Sequence, residues 1–252
     1  MTPQHVILLA VAGMAAGCLN AVAGGGSLVS FPALLAAGLP GVAANVTNTV
    51  ALSPGYAGGA LAYRAELASD RAQVVKLVAA SLIGAVVGSV LLLTTPASVF
   101  TALVPWLVLG ATFLFTCQPW VSARVTAHLS TDGVPRTRLI AQAGVLLASI
   151  YGAYFGAGLG IMLLAVLGSL LNVELQRLNG LKNALSLTIN SLATLVFIAF
   201  GPVRWLPVLI MAVMSLAGGF LGASVARKLS PKILRAAVIV FGTTVGLKLL
   251  LS

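Results

Sequence analysis

Apolar segments recur along the chain, and the charged residues fall almost entirely between them. Hydrophobic residues make up 60% of the 252 residues and charged residues only 7%, whereas a soluble domain carries about 45–50% and about 25%. Lipid offers no water to satisfy backbone N–H and C=O groups, so long apolar segments in a membrane are helical. The sequence therefore predicts an all-α polytopic membrane protein.

Charges, prolines and glycine clusters divide the chain into ten apolar segments, at 6–23, 27–38, 42–62, 73–93, 98–117, 139–155, 159–171, 178–200, 204–226 and 233–251. The segments 27–38 and 159–171 are shorter than the roughly 20 residues that span a bilayer as a helix. We expect two short helices there. The polar stretch 122–138 separates two similar halves, so we predict a first transmembrane repeat over 1–121, a linker over 122–138 and a second repeat over 139–252.

The distribution of Lys and Arg predicts the orientation of the chain. If all ten segments cross, Arg204 and Lys248 fall on one side. The twelve on the other side are Arg64, Arg71, Lys76, Arg124, Arg136, Arg138, Arg177, Lys182, Arg227, Lys228, Lys232 and Arg235. Cytoplasmic loops carry the excess of basic residues, so we predict a cytoplasmic linker and both termini outside, with 6–23 retained as the first span.

The alternative arrangement treats the two short segments as re-entrant loops. It divides the basic residues about evenly, at seven against six with Lys248 set aside, and is therefore less favoured. Ten crossings give five in each half, and an odd number makes the second half enter the membrane in the opposite sense. This pattern predicts a five-plus-five inverted repeat, as in many transporters.

Glycines cluster immediately before both short segments. The first break is Gly24-Gly25-Gly26, followed by Ser27, and the second break is Gly156-Ala157-Gly158. The N–H groups that open a helix after such a break are free donors at the positive end of the helix dipole, and they bind anions. We predict that both breaks contact an anionic substrate. Close helix packing through small residues is the alternative role.

Polar residues form a stripe on the third segment of each half. The first stripe contains Asn45, Asn48, Thr49, Ser53 and Tyr56, and the second contains Asn179, Lys182, Asn183, Ser186 and Asn190. Because lipid offers these groups no partner, we expect the stripes to face each other or a water-filled pathway. Hydrogen bonding that only holds the bundle together is the alternative. Lys182 either snorkels to the cytoplasmic surface or supplies a fixed positive charge that attracts an anion.

Ionisable groups are scarce inside the predicted spans. The four acids are Glu66, Asp70, Asp132 and Glu174, all in or beside predicted cytoplasmic loops, and the two histidines are His5 and His128. A proton relay or an acid-lined cation pathway needs carboxylates in the spans, and enzymes and metal sites need bases or ligands there. We expect no enzyme activity, no metal and no cofactor. The net charge of +10 reflects the small number of acids, which argues against nucleic-acid binding.

These motifs resemble those of the TauE/SafE sulfite exporter family, also called the toluene sulfonate uptake permease family. The resemblance covers nearly the whole chain and is carried by Gly24-Gly25-Gly26-Ser27-Leu28-Val29-Ser30-Phe31-Pro32, Ala43-Ala44-Asn45-Val46-Thr47-Asn48-Thr49 and Asn179-Gly180-Leu181-Lys182-Asn183. The second break departs from the family's usual Gly-Gly-Gly. The resemblance implies transport of sulfite, of sulfonates such as sulfoacetate, or of other small anions across a bacterial inner membrane.

Together the residues and the resemblance predict a secondary transporter that moves small sulfur-containing anions by alternating access, with export favoured because an inside-negative potential drives anions outward. The expected partners are the anion and the lipid bilayer, and a homodimer is left open. An anion channel, or an importer of another small organic anion, is the alternative. The predicted substrate-binding residues are Gly24, Gly25, Gly26, Ser27, Asn45, Asn48, Thr49, Gly156, Gly158, Lys182, Asn183, Ser186 and Asn190.

Overall fold

The helices of the protein follow the apolar segments closely. The computed structural model describes residues 1–22, 25–62, 71–128, 135–171, 175–225 and 231–251, which contain helices and no strand. The helices in these ranges are α1 (Pro3–Val22), α2 (Ser27–Ala36), α3 (Gly41–Ala62), α4 (Arg71–Thr94), α5 (Ala97–His128), α6 (Pro135–Tyr154), α7 (Leu159–Leu170), α8 (Leu175–Phe200), α9 (Trp205–Val225) and α10 (Pro231–Leu251). Each predicted apolar segment therefore corresponds to one helix.

Several helices have the length and hydropathy of a membrane span. By these criteria four windows in the described ranges qualify, namely Pro3–Asn20, Val74–Thr94, Ala97–Cys117 and Gly180–Phe200. Shorter apolar stretches occur in α2, α6, α7, α9 and α10. Large apolar side chains such as Trp106, Phe113 and Leu195 are exposed on the outside of the bundle. An all-helical bundle with such a surface is what a multi-pass membrane protein requires.

The two short helices lie where the sequence predicts them. α2 has 10 residues and α7 has 12, so they are about 15 Å and about 18 Å long at about 1.5 Å per residue. Neither length reaches the roughly 30 Å of the hydrocarbon core. Both helices begin directly after a glycine cluster. Their first turns lie inside the bundle, since Leu28 and Ser30 of α2 and Leu159 and Ile161 of α7 are buried.

Two helices extend into the predicted linker 122–138. α5 continues to His128 and α6 begins at Pro135, so much of 122–138 is helical, and 129–134 falls outside the described residues. Polar residues end an apolar run, but a helix satisfies its own backbone in water as well as in lipid. Neither glycine nor proline occurs between Trp120 and His128, so nothing in the backbone ends α5 at the change in polarity.

The two halves of the chain interlock. α1 packs against α9 and α4 against α6, α3 contacts both α8 and α9, and α8 also contacts α4. α5 lies against α7 and α10, and α2 lies against α10. When each helix is exchanged with the one five places away in the chain, the α1–α9 contact becomes the α6–α4 contact and the α3–α9 contact becomes the α8–α4 contact. These contacts between the two halves thus occur in pairs that are related by the exchange of the halves.

Glycines allow the closest of these contacts. A Cβ added at Gly17 of α1 would lie 2.0 Å from the Ser215 carbonyl oxygen of α9, and one added at Gly88 of α4 would lie 2.2 Å from the Ile150 carbonyl oxygen of α6. Small residues at helix contacts let backbones approach and gain van der Waals contact, which is a main source of helix association in membranes. The corresponding pairs α1–α9 and α4–α6 therefore use the same packing device.

Candidate functional site

The first break turns the chain back against α1. Gly25 has a φ of +105°, a left-handed conformation that favours glycine. The backbone N–H of Gly26 donates a hydrogen bond to the Asn20 side-chain oxygen at 2.8 Å. Gly26 also packs tightly on Ala16. A Cβ added at Gly26 would lie 2.3 Å from the Ala16 carbonyl oxygen, so no larger residue fits there. Gly24 lies outside the described residues.

The side chain of Asn48 closes the start of α2. Its Nδ2 donates to the Ser27 hydroxyl at 3.1 Å, and its Oδ1 accepts from the Ser30 hydroxyl at 2.5 Å. The Ser30 hydroxyl also lies 3.1 Å from the Gly26 carbonyl oxygen. All three polar side chains are buried. Among the predicted site residues, Ser27 and Asn48 are thus brought together, and they hold the first turn of α2 with hydrogen bonds to each other.

The second break joins α6 to α7 through two left-handed glycines. Gly156 has a φ of +79° and Gly158 a φ of +78°. The hydroxyl of Tyr151 donates to the Ala157 carbonyl oxygen at 2.8 Å, which ties the break to the last turn of α6. In the first turn of α7 the described bonds run from the N–H groups of residues 159, 161 and 162 to glycine carbonyls of the break. None of these described bonds uses the N–H of Gly160.

Lys182 reaches along α7 towards the second break. Its Cδ lies 3.7 Å from the position that a Cβ on Gly160 would occupy. At about 1.5 Å per residue, Gly160 lies about 15 Å from the end of α7 at Leu170, and Lys182 lies about 10 Å from the start of α8 at Leu175. The stem of the Lys182 side chain therefore lies against the first turn of α7, the end of the helix where N–H groups favour an anion.

Asn45 links the first stripe to the second break. Its Nδ2 donates to the Tyr154 carbonyl oxygen at 2.7 Å, and Tyr154 is the last residue of α6. The side chain of Asn45 is 1% exposed, yet its Oδ1 has no hydrogen-bond partner. Thr49, another predicted site residue, donates to the Asn45 carbonyl oxygen at 3.1 Å. Asn45 therefore spans the two halves and presents one unused acceptor beside the second break.

The second stripe is largely buried. Ser186 and Asn190 are 3% and 6% exposed, and the Asn190 Nδ2 donates to the Ser186 carbonyl oxygen at 2.9 Å. Asn183 is partly buried, and its spacing puts it on the same face of α8. The side chain of Asn179 is outside the described part of the structure. The stripe on α8 therefore continues into the bundle from the level of Lys182.

The two breaks meet on one face of α5. The ring of Phe115 lies 3.0 Å from the Cβ position of Gly25, and the Ala111 carbonyl oxygen lies 3.8 Å from that of Gly158. Ala111 and Phe115 are four residues apart, so they are neighbours on the surface of α5 about 6 Å apart along its axis. The two breaks thus lie against neighbouring positions of α5, and the polar residues around them belong to one region.

The breaks differ in what they offer to a ligand. Around the first break, the amide atoms of Asn20 and Asn48 and the hydroxyls of Ser27 and Ser30 bond to one another or to the backbone. Around the second, the Lys182 side chain lies against Gly160, the Gly160 N–H is not used by the described backbone bonds, and the Asn45 Oδ1 is an acceptor without a partner. The second break therefore has the greater capacity to bind a small oxyanion.

Sequence reasoning missed three of the groups that build this region. Ser30 could have been found from its position one turn after Ser27, and Asn20 from being an amide near the end of an apolar helix. The Tyr154 carbonyl could not have been found, because a backbone group carries no residue-specific signal. Its bond to Asn45 joins positions 109 residues apart.

Comparison with known proteins identifies the chain. The family described as Sulfite exporter TauE/SafE matches residues 9–249. This chain belongs to the TauE/SafE family. The family match confirms the resemblance given by the glycine and asparagine motifs. A membrane transporter, and not an enzyme, is what the match and its relatives indicate.

Three curated relatives of this TauE/SafE protein carry transporter names. "Probable membrane transporter protein ORF9" of Sinorhizobium sp is 26% identical over 96% of this chain and 91% of its own length. "Probable membrane transporter protein" of Haemophilus influenzae is 24% identical over 92% and 89%. "Probable membrane transporter protein YfcA" of Escherichia coli K12 is 26% identical over 99% and 91%. No solved structure matches this chain.

Proposed function

We propose that this protein is a secondary transporter that exports small sulfur-containing anions, such as sulfite or sulfoacetate, across the bacterial inner membrane. The observation that carries the proposal is the meeting of two broken helices on α5, with Lys182 extended towards the second break. Broken helices with ends near the bilayer midplane are typical of transporter binding sites. A helix N-terminus and an ammonium group attract a small oxyanion.

We propose that the ten helices cross the membrane as a five-plus-five inverted repeat. The correspondence between the α1–α9 and α4–α6 contacts supports this arrangement. A surface pocket lined by Met1, Gly38 and Arg204 also supports it, because it groups the amino terminus with the α2–α3 and α8–α9 connections. If α2 were a re-entrant loop, the α2–α3 connection would lie on the side opposite the amino terminus.

The excess of basic residues gives the proposed orientation. The positive-inside rule puts the connection between the repeats in the cytoplasm and both termini in the periplasm. A second pocket, lined by Ser98 and Leu249 among others, brings the start of α5 next to the end of α10. In the ten-crossing arrangement both of these ends are periplasmic.

The proposed substrate and direction have two different supports. The family description names sulfite export, and the chemistry of the second break fits a small oxyanion. No carboxylate side chain belongs to the described residues, since all four acids lie outside them. We propose that the membrane potential drives export, because moving one charge through 100 mV is worth about 2.3 kcal/mol.

Flux measurements in proteoliposomes test the proposed function. Labelled sulfite, sulfoacetate, taurine, sulfate and a short carboxylate are loaded with and without an imposed potential, and protein-free liposomes serve as the control. We expect saturable, potential-sensitive flux of sulfite or sulfoacetate. If none of the five solutes moves faster than in protein-free liposomes, the proposed substrate class is wrong.

The same preparation separates a transporter from a channel. In a transporter with alternating access, unlabelled substrate on the opposite side accelerates exchange of the labelled anion. After releasing the labelled anion, the binding site takes up unlabelled substrate and reorients to the first side while occupied. In a channel the flux follows the electrochemical gradient and shows no such acceleration. Accelerated exchange is the expected result, and its absence together with non-saturating flux would establish a channel.

A further inference from the structure

The orientation of the Asn45 amide is determined by its surroundings. Its Nδ2 donates to the Tyr154 carbonyl oxygen at 2.7 Å. Turning the amide over would bring two oxygen acceptors together, so the unused atom beside Tyr154 is the Oδ1. The backbone oxygen of Asn45 already accepts from Thr49. The Oδ1 therefore remains as an acceptor with fixed direction and no partner.

An unused acceptor of this kind points to an occupant. A buried polar atom left without a hydrogen bond destabilises the folded protein, and the great majority of buried polar atoms in native proteins have a partner. An amide oxygen can only accept. Whatever lies against the Asn45 Oδ1 in the working protein must therefore offer a hydrogen or a positive charge.

The neighbouring groups favour a hydrogen-bond donor over a cation. The Asn45 amide lies against the last residue of α6, two residues before the second break, and the Lys182 side chain lies against Gly160, two residues after it. The positive charge of Lys182 and the start of α7 repel a cation and attract an anion. A ligand that satisfies both sides must accept bonds from Lys182 or α7 and donate a bond to Asn45.

The first break provides a contrast. Asn48 occupies a similar place against the start of α2, but both of its side-chain amide atoms are engaged by Ser27 and Ser30. The two residues are on the same helix, three positions apart, and both are 1% exposed. Burial alone therefore does not leave an asparagine oxygen unused in this part of the bundle.

We propose that the Asn45 Oδ1 accepts a hydrogen bond from the transported oxyanion, so that the protein selects oxyanions that carry an O–H or N–H group. Hydrogensulfite, with one acidic hydrogen, and hydroxyl-bearing sulfonates meet this requirement. Fully ionised sulfoacetate does not, so the rule narrows the proposed substrates to the first two. This inference rests on the proposed anion transport. It adds a specificity rule within the class of small sulfur-containing anions. Charge and size alone would not distinguish an anion with an O–H or N–H group from one without it.

Competition between matched sulfonates tests the rule. Each pair has the same charge and head group: ethanesulfonate with 2-hydroxyethanesulfonate, and 1-propanesulfonate with 3-hydroxy-1-propanesulfonate. Each compound competes with labelled sulfite for flux in proteoliposomes. We expect the hydroxylated member to inhibit at about a tenfold lower concentration, which corresponds to about 1.4 kcal/mol and is the size of one added hydrogen bond.

Variants connect this preference to Asn45. In Asn45→Ala the preference ratio is expected to fall to about one, whereas a general structural defect would weaken both members of a pair equally. Asn45→Ser is the second variant if Asn45→Ala does not insert. Thr194→Val is the matched control, because it removes a different buried polar atom that lacks a partner, the Thr194 hydroxyl oxygen, and the ratio is expected to stay unchanged.

The outcomes separate this inference from the proposed function. Equal inhibition by both members of each pair in the unaltered protein overturns the inference and leaves anion transport standing. A preference that persists in the Asn45 variants also overturns it, because the preference then does not depend on the Asn45 Oδ1. Absence of any anion flux contradicts the proposed function itself.

Discussion

The rings of Phe31 and Phe155 meet edge to face with their centroids 5.2 Å apart. Phe31 belongs to α2 of the first half, and Phe155 immediately precedes the second break. Both side chains are almost fully buried. The contact joins one short helix to the break that opens the other, so it stabilises the region where the candidate anion site lies.

Replacing Phe31 tests the importance of this contact. Phe31→Ala is expected to lower the free energy of unfolding by about 3 kcal/mol, because it removes a buried ring and leaves a cavity. The measurement is the thermal denaturation midpoint in detergent. Phe200→Ala is the control, since Phe200 is 80% exposed and its replacement should barely change the midpoint. Equal midpoints for the two variants would contradict the packing role.

Three glycine substitutions distinguish helix packing from helix propensity. Gly17→Ala and Gly88→Ala are expected to destabilise the protein by about 1–3 kcal/mol, because the new Cβ would overlap a backbone carbonyl of α9 or α6. Gly110→Ala on α5 is the control, since nothing lies within 4 Å of its Cβ position. There the substitution is expected to be neutral or stabilising by up to about 1 kcal/mol. Equal denaturation midpoints for all three variants would show that close packing is unimportant.

The charge of Lys182 is expected to affect anion flux. Lys182→Gln should lower kcat/KM by about tenfold or more, because a hydrogen bond to a charged group is worth about 1.5–3 kcal/mol. Lys182→Arg should retain more activity than Lys182→Gln. Lys248→Gln is the control, since Lys248 is exposed in the last turn of α10. Wild-type flux in Lys182→Gln would mean that Lys182 only snorkels.

Labelling of single cysteines tests the proposed orientation. Cys18 and Cys117 are replaced by alanine, and Ser252→Cys or Thr131→Cys is then introduced separately. In intact cells an impermeant maleimide is expected to label the cysteine at 252 but not the one at 131, because the positive-inside rule assigns 131 to the cytoplasm. Inside-out vesicles should give the reverse. Labelling at 131 in intact cells would refute the orientation.

Much of the fold could be predicted from the sequence because its signals are local. Apolar runs gave the positions of the helices, and the glycine clusters gave the starts of α2 and α7. The end of α5 was not predicted, since the residues before His128 change polarity without breaking the backbone. The boundaries between helices and connections depend on hydrogen bonding, whereas a polarity pattern reports only solvent preference.

The candidate site shows the limit of such signals. Asn45 and Asn48 look alike in the sequence, three residues apart on one stripe. Asn48 holds the start of α2, whereas Asn45 bonds to the end of α6 and keeps a free oxygen. Their different roles are due to their hydrogen-bond partners, Ser27 of α2 and the Tyr154 carbonyl of α6, which belong to other helices. No periodicity along α3 could have distinguished the two amides.

The sequence by itself determined that this chain is helical and apolar, that two helices are short, and that polar groups accumulate on α3 and α8. These properties follow from hydropathy and glycine content, which act over a few residues. Only the tertiary structure decided that both breaks meet on α5 and that Lys182 extends to the second of them. Such contacts depend on how helices distant in the chain pack, because hydrogen bonds and van der Waals contacts act only between groups brought within a few ångströms.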